Sequence, residues 1–384
     1  MICRYTPSIA RLFFSITILF GASIIASAQS GRVQATPTPT PEDDTVRIVT
    51  EEIKLNVLAF DEKGDFFRDV NERDLVISEN NILHQPVSVR RLPANVLIIM
   101  DTGGELRAVK SLDQTRKVAK AVVDALRPGD AVAVMQYSDK AEIVTEWTSD
   151  KAQSLAAIKR ANFGRRSMFV DAIKLATDFM LRSGVDNKHI ILITDGTDSM
   201  GRSSAKFDAF QRLMATDISV HVISYTSMEA ADIEPRTKGI SNTPPPKAMP
   251  DEIAATLPNG VKDKGVKIGP TISLDRTLIK KMKARQLELE TSQEQLEKLA
   301  ESTNGEYILP TSLEEMVEKA ALVAKMVDAS YVVTYMPKIS VVETRGIAER
   351  NIDVTSRRAG LIVVARRKLL FDTKNQPKSV SSKP

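Results

Sequence analysis

The stretch Ala94-Asn95-Val96-Leu97-Ile98-Ile99-Met100-Asp101-Thr102-Gly103-Gly104-Glu105 decides how this chain folds. Val96 to Met100 is an unbroken apolar run without alternation, the pattern of a strand buried on both faces. The run delivers a carboxylate, Asp101, to its C-terminal end, where open α/β sheets gather their sites. A second such delivery follows at Ile190-Ile191-Leu192-Ile193-Thr194-Asp195-Gly196. Two buried strands therefore present one aspartate each at the same kind of edge.

Between and beyond these strands the pattern alternates. Val118, Val122, Ala125 and Leu126 fall at helical spacing, and Arg127-Pro128-Gly129-Asp130 ends that helix. Residues 131–137 read as a buried strand, with 141–147 as its hairpin partner. Helices are predicted over 155–161, 168–181 and 205–215, and strands over 189–194 and 219–225. Such alternation implies an α/β fold with a mainly parallel, doubly wound sheet covered by helices on both faces. Residues 45–93 and 331–371 hold only short β segments, too few in either stretch to bury a face. Together they predict a small β-sandwich-like domain, built from both ends of the chain, flanking the α/β domain of residues 94–330.

Residues 228–290 interrupt the rhythm with Pro235, Pro244-Pro245-Pro246, Pro250 and Pro258, and predict an irregular insertion. Leu278, Met282, Leu289, Leu296 and Leu299 then recur at heptad-like spacing, but Arg285 and Ser292 stand at intervening seam positions. The spacing fits either a short partner-binding coiled coil or a protruding amphipathic helix whose last turns dock on the sheet. Residues 305–309 resume the sheet, and Ser312-x-x-Glu315 is a capping box opening a helix that runs to about Ala329.

The ends carry targeting and reach. Arg4 and Arg11, the apolar stretch 12–25 and Ala26-Ser27-Ala28 predict a cleaved secretory signal over residues 1–28, hence an exported protein, periplasmic or secreted. No stable membrane span is expected after cleavage, the apolar stretch being shorter than the ~20 residues a span needs. Residues 29–44, with their Thr-Pro alternation, read as an extended tether, and 372–384 as a polar tail. Cys3 is the only cysteine and lies inside the signal, which excludes disulfides, thiolate metal sites and cysteine nucleophiles from the mature chain. Removing Arg4 and Arg11 leaves 51 of the 53 basic residues against 49 acidic ones, so charge gives no case for nucleic acid.

Three segments carry a resemblance. The stretches V-L-I-I-M-D-T-G-G-E at 96–105, S-M-F-V-D-A-I at 167–173 and I-I-L-I-T-D-G-T-D at 190–198 resemble the three metal-site loops of the von Willebrand factor type A domain. The wider arrangement is similar to exported bacterial proteins called VWFA-related domain proteins. The resemblance implies a protein or peptide ligand, bound through a divalent cation whose shell the partner's carboxylate completes. It also implies a first loop of the form Asp-x-Ser-x-Ser, with a Thr and an Asp from the other two loops. Carried over, Asp101 matches the first Asp, Ser167 the Thr and Asp195 the last Asp. Gly103 and Glu105 replace the two serines, and Glu105 offers a longer carboxylate. Asp101, Glu105, Ser167 and Asp195 are thus the candidate ligands for Mg, Mn or Ca at a degenerate site, and a metal-free scaffold binding through residues 228–300 is the alternative.

Arg165 and Arg166 are candidates for contacting an acidic partner directly, or else solvated loop charges. Asp198 and Asp171 are within reach of the same loops, with Asp171 expected to face solvent or cap its helix. His84, His189, His221 and Trp147 read as structural. Two carboxylates at a sheet edge could serve a metal-dependent hydrolase. The chain has neither a Gly-x-Ser-x-Gly elbow nor a phosphate-cradling Gly-rich loop, so a non-catalytic binding module is the expectation.

Overall fold

The computed structural model describes residues 51–104, 111–241, 271–272, 275–340 and 347–372. The predicted signal, the tether, Glu105 and the polar tail from 373 lie outside the described residues. In chain order the strands are β1 (Ile53–Phe60), β2 (Leu75–Glu79), β3 (Ile82–His84), β4 (Ser88–Arg90), β5 (Asn95–Asp101), β6 (Ala131–Tyr137), β7 (Ala141–Thr148) and β8 (Lys188–Thr194). They continue with β9 (Ser219–Ser224), β10 (Ile240–Ser241), β11 (Thr271–Ile272), β12 (Tyr307–Ile308), β13 (Ser330–Tyr335), β14 (Ile347–Ser356), β15 (Ile362–Ala365) and β16 (Lys368–Asp372). The helices are α1 (Leu112–Ala125), α2 (Lys151–Arg160), α3 (Phe169–Arg182), α4 (Ser203–Met214), α5 (Thr226–Ile233), α6 (Arg276–Ser302) and α7 (Leu313–Asp328).

The central sheet has the order β12-β9-β8-β5-β6-β7, with β5 and β8 side by side at its middle. All pairs are parallel except β6 with β7, the hairpin read from the sequence. Alternate side chains of a strand point to opposite faces, and β5 shows it directly. Val96, Ile98 and Met100 pack with α1, α2 and α7, while Leu97 and Ile99 pack with α3, α4 and α6. All five are wholly buried. Each such side chain contributes roughly 1.5–3 kcal/mol, which explains why the apolar run lacks alternation.

Two antiparallel sheets, β15-β1-β13-β4 and β16-β14-β2-β3, flank this domain and interleave strands from both ends of the chain, as the strand shortage predicts. Leu55, Val57, Leu75, Ile77, Val333 and Tyr335 form their shared core. The sandwich joins the N-terminal edge of the central sheet through polar contacts. Asn56 Nδ2 donates to Asp217 O at 3.2 Å and Ser219 Oγ at 3.1 Å, and Asn304 Nδ2 donates to Asn56 O at 3.0 Å. The buried Arg366 guanidinium donates to Ile218 O at 2.9 Å. The opposite, C-terminal edge is left to the site.

The segment expected to be irregular is ordered at both ends. Residues 226–233 form α5, because Met228 and Ile233 find apolar cover, and 276–290 open the 27-residue α6. That helix does not protrude: Met282, Leu289, Ser292, Leu296, Leu299 and Ala300 are buried along its length. At α7, Ser312 Oγ accepts from Glu315 N at 3.2 Å, while the Glu315 carboxylate reaches back to Thr311 N and Oγ1, both at 2.7 Å.

Candidate functional site

Asp101 and Asp195 end β5 and β8, adjacent central strands, and both are wholly buried at the C-terminal edge. Their oxygens are engaged by neighbouring donors. Asp101 Oδ1 accepts from Gly103 N at 3.2 Å, and Oδ2 from Thr194 Oγ1 at 3.2 Å. Thr194 Oγ1 itself accepts from Gly196 N at 2.7 Å and lies 2.5 Å from the Tyr137 hydroxyl. Asp195 Oδ1 accepts from both Thr197 N, at 2.8 Å, and Thr197 Oγ1, at 2.7 Å. Asp195 Oδ2 faces the Arg285 guanidinium at 3.4 Å. The third expected ligand, Ser167, is buried and donates its hydroxyl to Thr197 O at 3.2 Å.

Gly103 sits where the family pattern has its first serine, and there is no room for one. A Cβ at this position would fall 1.8 Å from Arg166 O and 2.7 Å from Ser138 Cα. The reason is a backbone contact: Gly103 bridges Gly164 in parallel register, and Gly164 N donates to Thr102 O at 3.2 Å. The loop after β5 and the loop before α3 thus touch where a hydroxyl would stand. Divalent cations demand several converging oxygens. Among the described residues no group of three or more His, Cys, Asp or Glu side chains is placed to share a metal ion. Asp101, Asp195 and Ser167 as they lie here do not fit one.

Arg165 and Arg166 are exposed beside this edge, and their backbone N–H groups donate to the Asp139 carboxylate at 3.3 and 3.1 Å. Asp198 performs the capping role. Its Oδ2 accepts from Val170 N at 2.9 Å, closing the start of α3, and Arg202 bridges it to Asp171. Burial raises the Asp198 carboxyl, but Arg202 and the N–H groups of Val170 and Met200 pull it below the ordinary carboxylate range.

The residues missed by motif reading come from α6 and the elements beneath it. Arg285 bonds Asp195, the buried Glu229 Oε2 at 3.0 Å and Glu288 Oε2 at 2.9 Å. Burial works against its charge, yet Asp195, Glu229 and Glu288 raise the guanidinium above its ordinary value. Ser292 Oγ donates to Asp195 O at 2.7 Å. Lys206 Nζ donates to Gly196 O at 2.8 Å, and burial pushes its ammonium down to about 8. Arg285 and Ser292 are the two polar residues that break the apolar seam of α6. The signal was in the spacing: a polar side chain on a buried stripe needs a polar group opposite.

The turn after Asp195 also depends on α6. Gly196 has φ +68°, and a Cβ there would lie 2.7 Å from both Leu296 Cδ1 and Ser292 Oγ. Gly196→Ala is therefore expected to lower stability by about 2 kcal/mol, through left-handed backbone and crowding of α6. Urea unfolding should show a lower midpoint with unchanged slope. An unmoved midpoint would mean that α6 is not seated on this turn.

Beside Arg285 a cavity of about 360 Å³ opens, lined by residues that include Ser167, Asp198, Ser199, Lys281, Arg285 and Glu288. Among the described residues no helix is long and apolar enough to cross a membrane.

The profile of the von Willebrand factor type A domain matches residues 96–197. No curated protein sequence matches the chain. Among solved structures, the chain is similar to an aerotolerance-related membrane protein from Bacteroides fragilis, at 19% identity and TM-score 0.36, covering 60% of this chain and 98% of that one. It is similar to a von Willebrand factor type A protein from Catenulispora acidiphila, at 11% identity and TM-score 0.39, over 85% of this chain and 75% of that one. A manganese-loaded TRAP protein from Plasmodium vivax follows at 9% identity and TM-score 0.36, over 76% and 97%. Likenesses of this size say nothing about function. The matched residues run from β5 to the turn after β8 and hold both edge aspartates, so that the match to the von Willebrand factor type A domain falls on the part of the chain that carries the site.

Proposed function

We propose that this is an exported, non-catalytic protein-binding module, used in adhesion or assembly, whose docking surface is the C-terminal edge of the type A domain. One observation supports it above others: α6, which belongs to the 228–300 segment, lies across the edge formed by β5 and β8. This helix, one part of the insertion weighed as the alternative surface, thus meets the edge with a cavity at the seam. Hydrolysis finds little support, because both edge carboxylates are held by internal donors rather than aimed at a substrate. The exposed Arg165 and Arg166 remain candidates for the rim of this surface.

Photo-crosslinking in the exporting cell tests the proposal. A crosslinking side chain in place of the exposed Ser199 or Lys281, at the cavity rim, should capture a second protein. The same group in place of the exposed Lys117, on α1, should not. Capture from position 117 alone, or from none of the three, would sink the edge as the docking surface.

A further inference from the structure

The mismatch between this edge and a divalent ion has a counterpart, because a cation is already there. Asp195 is wholly buried and Glu229 nearly so, at 0% and 4% exposure. Burying carboxylates without compensation is expensive, so the fold must supply positive charge at this point. Arg285 supplies it, with Nη2 at 3.0 Å from Glu229 Oε2 and 3.4 Å from Asp195 Oδ2. Nη2 serves both of these carboxylates and Nη1 serves Glu288 Oε2 at 2.9 Å, so one planar guanidinium spans three carboxylates, which a point charge does less well. At the same time Gly103 cannot carry the hydroxyl a metal shell needs, since Arg166 O fills its place. The Ser167 hydroxyl is turned onto Thr197 O.

The helix carrying Arg285 is held unevenly. Leu296, Leu299 and Ala300, in its C-terminal half, belong to the core cluster under the central sheet. Met282 and Leu289, in its N-terminal half, belong to a separate small cluster with Ile233. The first part of α6 can therefore lift without opening the main core, and Arg285 pairs it with the edge carboxylates.

We propose that Arg285 is the resident cation of this type A edge: it replaces the divalent ion, latches the N-terminal half of α6 shut, and makes the uncovered edge a receptor for a guanidinium-bearing side chain. The partner's contribution is then basic, an arginine that takes the seat of Arg285 on Asp195 and Glu229, and not a metal-bridged carboxylate. The inference rests on the edge being the docking surface. Its test reads the seat itself, so it can fail while crosslinking from Ser199 and Lys281 succeeds, and the reverse.

The test is thermal unfolding of the full exported protein and of Arg285→Ala, each in chelator, in millimolar Mg, Mn or Ca, and in millimolar methylguanidinium with methylammonium as the control. Wild type should not respond to any of these. Arg285→Ala should melt lower, and methylguanidinium should raise its Tm by at least ~2 °C, because a ligand of the folded state alone stabilises it by mass action. Methylammonium and the divalent ions should not. Stabilisation of wild type or of Arg285→Ala by a divalent ion would overturn the proposal and restore a metal site. So would an Arg285→Ala protein as stable as wild type, or one that no cation rescues. If Arg285→Ala does not fold, Arg285→Lys keeps the charge without the fork: it should melt below wild type and ignore divalent ions, and a Tm equal to wild type or a response to metal would count against the proposal.

Discussion

Gly103→Ser, the substitution that brings the first loop closer to the family pattern, is expected to destabilise the protein by at least ~3 kcal/mol. The added Cβ would meet Arg166 O at 1.8 Å and Ser138 Cα at 2.7 Å. Neither obstacle is the far end of a flexible side chain. Relief requires the loops after β5 and before α3 to part, which breaks the Gly164 N to Thr102 O hydrogen bond and the Gly103–Gly164 bridge. It also disturbs Asp101, whose Oδ1 is held by the Gly103 N–H. The measurement is urea unfolding of both proteins, in chelator and with millimolar Mg. A variant as stable as wild type that is further stabilised by Mg would mean that the loops open readily and the edge is a repairable metal site. A variant that melts early and ignores Mg would mean that the loop has closed around glycine.

These two loops show what the sequence could and could not disclose. The strands that carry Asp101 and Asp195 were legible because burial on both faces leaves a nearly unbroken apolar run, and β5 and β8 at the sheet centre are buried in that way. The sandwich was legible from arithmetic, since neither end of the chain holds enough strands to cover a face. The reason for Gly103 was not legible. It lies in a carbonyl of Arg166, distant in sequence and brought near by the return of the chain through β6, β7 and α2. Arg285 was visible only as a fault in a stripe. Its spacing announced that something polar stood opposite, while the identity of that group depended on which face of the sheet α6 covers. Trp147, by contrast, packs as an edge-strand residue should, stacked on Phe179 with its indole N–H on Ser183 Oγ at 2.8 Å.

At the other end of the central sheet, the expected result is a loss of stability as pH falls from 6.5 toward 4, caused by two wholly buried histidines. His189 on β8 and His221 on β9 stack with ring centroids 5.4 Å apart, and His189 Nδ1 lies 3.2 Å from His221 Nε2. The directions of the hydrogen bonds follow from one fixed donor. Glu306 N–H donates to His221 Nδ1 at 3.1 Å, so neutral His221 carries its proton on Nε2 and donates it to His189 Nδ1. His189 then carries its proton on Nε2 and donates to Asn187 Oδ1 at 2.9 Å. Each ring is satisfied only while neutral. Burial pushes His221 down to about 4, and burial together with the neighbouring His221 holds His189 well below the usual histidine range.

Both folded values lie under the ~6.5 of an unfolded histidine. Below that pH the unfolded chain binds protons that the folded chain refuses, so folding is favoured above pH ~6.5 and progressively less as pH falls toward about 4. For His221 alone the gap corresponds to about 3 kcal/mol, and His189 adds to it. The check is the free energy of urea unfolding from about pH 7 to about pH 5, above the range where most carboxylates titrate. Wild type should lose stability across it, and a His189→Leu/His221→Leu protein, which keeps His84, should lose less. Equal slopes in the two proteins would remove the histidine chain as the cause. Because Ser330 Oγ on β13 donates to Asn187 Oδ1 at 3.0 Å, protons entering this chain would also loosen the contact between sandwich and central sheet.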